Sequence, residues 1–338
     1  MTDPCVDQML SEVLALLQSS DIDHAEIILQ DILIHDPLNT HALHFLGVCF
    51  CQRADLINGI QLIEKSISID STRFAPFLNL GKFYLDNSQP KQAVSSLDRA
   101  CELNPHSFDA WFLSAKALFL SGDIVGALRS GKRALEIQPS SSKVLYLLGL
   151  ITTESDKLLA ISYYEKSILL DASSRESLVN LANLYLHFGR FDDSVSSFQS
   201  ALATDPECLQ ALGGLAYAYR KSSRFDESIA TYNKLILLDP ASIDSYFSLA
   251  ELYKDKGCLE KAITFLNKAL EFNSDHPEVL FMLSISLMDI GNIGDSLNVA
   301  KKYHRLRPFD PSLYERLGST CERFSYRLNS KNLYLQAE

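Results

Sequence analysis

The sequence contains no run of 18 or more apolar residues, so nothing in its 338 residues reads as a bilayer-spanning helix. The opening MTDPCVDQMLSEVLALLQSS carries acidic residues where a secretory signal needs a basic start, and polar residues interrupt its apolar positions; no signal peptide is expected. No glycine-rich phosphate loop is expected either, because GxGxxG is absent and so is GxxxxGK followed by Ser or Thr. No cysteine framework stands out. The seven cysteines are odd in number and scattered, as suits reduced thiols, and they make the cytoplasm the expected compartment. Basic charge is also short: the net charge of -11 opposes binding to a nucleic-acid backbone, so no nucleic-acid partner is expected. The exception is Val299 to Lys331, where eight basic residues face three acidic ones. That stretch reads either as a docking end for an anionic partner or as a solvated face.

What the chain does have is a period. LANLYLHFGRFDDS at 181 returns as LAYAYRKSSRFDES at 215 and LAELYKDKGCLEKA at 249, each 34 residues further on. Units then start near Val6, Thr40, Phe74, Phe108, Ser142, Arg175, Leu209, Ile243, Pro277 and Pro311. The unit from Ser142 is one residue short, around Glu154 to Lys157, and the tenth is cut off. From the unit at Thr40 onward the eighth position is always small (Gly47, Gly81, Ala115, Gly149, Ala182, Ala216, Ala250, Ser284, Gly318), and so is the twentieth from the first unit on (Ala25, Gly59, Ala93, Ala127, Ala160, Ser194, Ser228, Ala262, Ser296). Small side chains at two fixed columns mark where two helices cross closely.

Large apolar residues flank these columns at spacings of three and four, such as Leu181 with Tyr185 and Leu215 with Tyr219, so each unit reads as two helices and no strand is expected. Gly122, Gly189, Gly257 and Gly291 fall between the halves, where a helix stops in a left-handed conformation. Acidic residues such as Asp192, Asp226 and Glu260 open the second halves, favoured by the free amides there. Pro37, Pro105, Pro139, Pro206, Pro240 and Pro308 close units, since the residue before a proline leaves helical geometry.

Small residues at positions eight and twenty, an aromatic at eleven and a closing proline together resemble the tetratricopeptide repeat family, from about Val6 to Glu338. The resemblance implies an all-α solenoid of antiparallel helix pairs, one array over residues 1–338, coiled as a right-handed superhelix whose inner wall is made by the first helices. It implies a non-catalytic scaffold or adaptor that binds a peptide segment of a partner protein, with no cofactor, no metal and no membrane insertion. The first unit matches worst, with Glu12 and Val13 at its large-then-small pair, and its first helix is expected to be irregular or to act as a cap.

By the same resemblance, positions two, five, nine and twelve face inward. The expected groove residues are Leu78, Lys82, Phe112, Lys116, Phe119, Tyr146, Leu150, Asn183, Tyr217, Arg220, Phe247, Lys254 and Phe281. The apolar ones would hold partner side chains, and Lys82, Lys116, Arg220 and Lys254 would fix acidic groups along the segment. Position five also includes His44 and Val179. Gly213 and Gly214 lie together in a first helix at a cost of about 1 kcal/mol each relative to alanine. They read either as a notch for a ligand between Tyr217 and Phe247 or as drift in a tolerant repeat. The carboxylate clamp of some family members is incomplete here: Asn180 and Asn183 stand at suitable positions, but Gly214 and Asp244 follow. His41, His44, Cys49 and Cys51 lack firm zinc spacing, and Glu251, Asp255 and Asp289 lack a nucleophile and base. Two alternatives stay open. The ending KNLYLQAE stops in repeat register with no polar cap, which suits the substrate-recruiting arm of a larger enzyme or complex, or self-association through the C-terminal unit.

Overall fold

The computed structural model describes residues 4–323, with side chains from 6 to 318. The ending KNLYLQAE and the basic residues Arg327 and Lys331 lie outside the described residues, as does the side chain of Arg323. Among the described residues there is no strand, and no helix is long and apolar enough to cross a membrane. The chain divides into two compact units, the first ending at Ala172 and the second beginning at Ser173.

The first unit holds five helix pairs: α1 (Pro4–Gln18) with α2 (Ile22–His35), α3 (Thr40–Gln52) with α4 (Leu56–Ile69), α5 (Phe74–Asp86) with α6 (Pro90–Leu103), α7 (Phe108–Ser121) with α8 (Ile124–Ile137), and α9 (Ser142–Thr152) with α10 (Lys157–Leu170). The second holds α11 (Arg175–His187) with α12 (Phe191–Thr204), α13 (Leu209–Lys221) with α14 (Phe225–Leu238), α15 (Ile243–Asp255) with α16 (Leu259–Phe272), α17 (Pro277–Asp289) with α18 (Ile293–Leu306), and then α19 (Ser312–Arg323). From Thr40 to Pro277 the first helices begin at the residues that open the sequence units. The helix α1 is regular, and Val13 on it is fully buried. It is not the irregular element its weak match suggested, because a buried valine packs a helix as well as the expected small residue does.

Short connections make each pair an antiparallel hairpin. Caps fix their starts: Asn39, Ser107, Ser141 and Ser242 accept the N3 amide of α3, α7, α9 and α15, while Asp21, Asp55, Asp123 and Asp156 do so for α2, α4, α8 and α10. Between the halves the backbone turns left-handed at Gly122, Gly189, Gly257 and Gly291. It does so equally at Ser20, Ala54, Ser88 and Ser223, with φ of 61°, 65°, 57° and 60°. The unit from Ser142 lacks this residue. Its helix α9 ends early and Thr153 stays right-handed at φ -54°. The shortened turn is held instead by Thr153 Oγ1, 2.8 Å from the Gly149 carbonyl and 3.0 Å from the Tyr164 hydroxyl.

The small columns sit at the helix crossings. A Cβ on Gly47 would come within 2.7 Å of the Gly59 carbonyl, and one on Gly81 within 2.4 Å of Leu97. Where serine fills both columns it binds across the crossing: Ser284 Oγ donates to the Ser296 carbonyl at 2.8 Å and Ser296 Oγ returns the bond at 2.7 Å. The stretch GALRSGK at 126–132 has the glycine and lysine spacing of a phosphate loop without its Ser or Thr. It lies wholly within α8, so its amides are spent on the helix. Cores run from pair to pair within each unit. Leu118, Ala134, Leu148 and Ile151 form one across α7, α8 and α9, and Tyr246, Leu266, Val279 and Leu283 another across α15, α16 and α17. A lone hairpin could not cover these faces; its neighbour does.

Candidate interaction surface

First helices of neighbouring pairs touch one another directly, α3 on α5, α5 on α7 and α7 on α9 in the first unit, α11 on α13 and α17 on α19 in the second. No contact of that size joins two second helices. The first unit therefore closes toward its odd-numbered helices, as does the second at its two ends, and that side is the inner wall of each stack.

On that wall in the first unit, Lys82 and Lys116 are exposed, whereas Leu78, Phe112, Phe119, Tyr146 and Leu150 are half-buried. The aromatics are partly used by the fold: Phe112 stacks on Phe108 with centroids 5.9 Å apart, and Phe112 and Phe119 pack against the core of α7 to α9. Tyr146 sits 6.1 Å from Tyr164. In the second unit Asn183 and Tyr217 are exposed, and Arg220, Phe247, Lys254 and Phe281 are half-buried. Not every inward position opens to solvent, since His44, Val48, Leu85, Val179, Ile285 and Met288 are buried.

Arg220 departs from the expectation that it would hold a partner's acidic group. Its Nη1 donates to Glu251 and its Nε to Asp255, both at 2.6 Å, bridging α13 to α15. Burial works against its charge, but the hydrogen bonds with Asp255 and Glu251 outweigh it and hold the guanidinium above its ordinary pKa. The same bonds explain two of the three carboxylates singled out on this wall. His44 likewise has a structural partner: Asn79 Nδ2 lies 2.9 Å from its Nε2. Cys49 and Cys51 are buried thiols, and no three His, Cys, Asp or Glu side chains converge as metal ligands among the described residues.

Two cavities among the described residues of the second unit bear on this surface. The larger, about 480 Å³, is walled by Phe247, Phe281, Met282 and Tyr303, with Pro277, Glu278, Arg307 and Asp310 at its rim. Tyr303 meets Phe281 edge-on at 5.5 Å and donates its hydroxyl to Asp310. Burial and that bond push the Tyr303 phenol up to about 12, while the Ser312 and Tyr303 hydrogen bonds hold Asp310 low, so the rim carboxylate stays ionised. Glu278 and Arg307 stand 3.8 Å apart across the rim. Phe247 and Phe281 were among the groove residues expected from the repeat register. Tyr303, Arg307 and Asp310 were not, because they come from a second helix and the loop after it.

The smaller cavity, about 310 Å³, lies at Gly213, between Tyr217, Tyr232 and Leu235 on one side and Ser242, Asp244, Ser245 and Ser248 on the other. The two neighbouring glycines separate here. A Cβ on Gly214 would fall 2.2 Å from the ring of Phe198, which is fully buried, so glycine is needed for packing. A Cβ on Gly213 would meet only Leu235 Cδ1, at 3.6 Å, an ordinary contact.

Tetratricopeptide repeat family models match residues 78–142, 179–243 and 243–276. The chain is 27% identical over 199 residues to Anaphase-promoting complex subunit 7 of Arabidopsis thaliana, an alignment covering 57% of this chain and 35% of that protein. It thus spans about a third of the length of this curated relative. Among solved structures, the APC/C hetero-tetramer Cut9-Hcn1 superposes with a TM-score of 0.52 at 20% identity, over 83% of this chain and 55% of that one. A tetratricopeptide repeat protein from Parabacteroides merdae gives 0.53 at 17%, over 73% and 98%. At these identities the superpositions show the fold.

Proposed function

Because the chain is a tetratricopeptide repeat protein, we propose that it is a non-catalytic scaffold, a single array that holds a segment of a partner protein against the inner walls of its stacks. The observation that carries this reading is the cavity where Phe247 of α15 meets Phe281 and Met282 of α17 and Tyr303 of α18, with Glu278, Arg307 and Asp310 beside them. An aromatic anchor burying roughly 150 Å² there would contribute about 4 kcal/mol before the costs of ordering. The half-buried rims of Phe112, Phe119 and Tyr146 and the exposed amines of Lys82 and Lys116 extend the same kind of surface in the first unit. The described cysteines are free thiols, and the cytoplasm is the setting we propose on that basis.

Photo-crosslinkers at Phe112 and Phe247 in cells, read by mass spectrometry, identify the partner. Its affinity for the purified chain is then measured with Phe247→Ser and Phe281→Ser together. Binding is expected to fall at least tenfold with helicity unchanged; unchanged affinity refutes the reading.

A second reading is favoured by the similarity to a subunit of the anaphase-promoting complex: the chain serves as an arm of a larger multiprotein complex whose catalytic part lies elsewhere. Size-exclusion of native lysate tests it. An arm elutes far above the 37.8 kDa of the chain, and elution at that mass alone counts against it.

A further inference from the structure

Gly213 is a helical glycine for which packing gives no reason. Alanine would fit its surroundings with an ordinary contact, and alanine makes a better helix. What the absent side chain leaves is the cavity of about 310 Å³, at the lower end of the range of about 300–1,000 Å³ found for ligand pockets and so sized for one side chain and the backbone beside it.

Its walls select the chemistry. The Tyr217 ring is 40% exposed and carries the chain's own Lys221 Nζ 5.2 Å from its centroid, so a basic partner side chain would have to share or take that place. Tyr232 and Leu235 supply an apolar flank. Asp244 is exposed at the lip and makes no ion pair among the described residues. Of the chain's own cations, Arg220 is neutralised by Glu251 and Asp255, and Lys221 lies over the Tyr217 ring. Ser242, Ser245 and Ser248 make the remaining edge polar but are engaged within the fold: Ser242 Oγ accepts the Ser245 amide and lies 2.8 Å from Ser245 Oγ, and Ser248 hydrogen-bonds the Tyr232 hydroxyl.

We propose that this cavity takes a lysine or arginine side chain of an extended partner segment whose backbone crosses α13 at Gly213, with the stem between the two tyrosines and the charge at Asp244. The inference rests on the inner-wall reading above and adds to it a preference for a basic residue.

The test starts from random dodecapeptides displayed on phage and selected on the full chain. The most enriched peptide is synthesised with a fluorophore and titrated by anisotropy. Enriched peptides are expected to carry lysine or arginine next to a small residue. Gly213→Leu, which fills the cavity, and Asp244→Asn, on the surface, should each weaken binding at least tenfold, while Gly213→Ala keeps the melting temperature at or above that of the parent. Acidic or purely apolar winners, no enriched peptide, or full affinity in both Gly213→Leu and Asp244→Asn overturn the proposal. If Phe247→Ser with Phe281→Ser abolishes binding while those two variants do not, the inner-wall reading survives and this one falls; insensitivity to all of them removes both.

Discussion

Adding one methyl group at Gly213 and at Gly214 should have opposite effects on stability. Both residues lie inside α13, so alanine at either gains about 1 kcal/mol of helix propensity. At Gly213 nothing opposes that gain, because the new methyl would touch only Leu235 at van der Waals distance. At Gly214 the methyl would lie 2.2, 2.5 and 2.8 Å from three atoms of the Phe198 ring. That ring is fully buried between α12 and α13 and has no free end to swing away, so it must move by more than an ångström. Overpacking of this kind costs about 1–3 kcal/mol. Gly213→Ala should therefore stabilise the second unit by about 1 kcal/mol, and Gly214→Ala should destabilise it by about 1 kcal/mol, a gap of roughly 2 kcal/mol. Urea melts of the full chain followed by circular dichroism measure this as a shift in midpoint between the two variants, which does not require the whole array to unfold in one step. A Gly214→Ala midpoint equal to or above that of Gly213→Ala would refute the packing argument for Gly214, and with it the claim that only Gly213 is free to be something else.

Acid should loosen the first unit through His44. Burial, then the nearby Arg73 and His41 charges, lower its pKa from 6.5 to about 3, so between those values the unfolded chain binds a proton that the folded chain does not. Stability is then full above pH 6.5 and falls by up to about 1.4 kcal/mol per pH unit as pH drops toward 3. His44→Gln should flatten that slope in urea melts at pH 7, 5.5 and 4.5, and an unchanged slope counts against the assignment. Thiol reactivity should divide by burial. Cys49 and Cys51 are pushed up to about 11 and Cys101 to about 12, chiefly by burial, whereas Cys208 and Cys258 are half-exposed. Iodoacetamide on native protein should mark Cys208 and Cys258 well before the other three, as peptide mass spectrometry would show; early labelling of Cys101 would contradict the packing of α6.

The helices could be read from the sequence because a repeat states each constraint nine times over. The small columns appear as columns because every crossing needs them, and the structure places them at Gly47 with Gly59 and at Ser284 with Ser296. The turn was only half legible. Glycine marks the left-handed residue at four units, while Ser20, Ala54, Ser88 and Ser223 adopt the same torsion without advertising it. The neighbouring helices over-determine the turn, so a residue that resists the conformation is carried into it, at a cost of about 1–2 kcal/mol. The short unit is the complementary case: it deletes the strained residue itself and closes the turn with threonine hydroxyls.

The surface was less legible than the fold, for a reason that lies in geometry. A register tells which way a residue on one helix points, and from it Phe247, Phe281 and Tyr217 are expected on the inward side. A cavity needs walls from several elements, and the register of one helix says nothing about what the next helix or loop brings. Tyr303, Arg307 and Asp310 reach the larger cavity from outside the first helices. Arg220 looked free by position, but its partners stand 31 and 35 residues away on α15, one period on. Such a pairing, one period apart, turns an inward charge into a bond between neighbouring helix pairs. On the reading proposed above, the positions left for a partner are those where this internal pairing fails. Asp244 and the space above Gly213 meet that condition, and Arg220 does not.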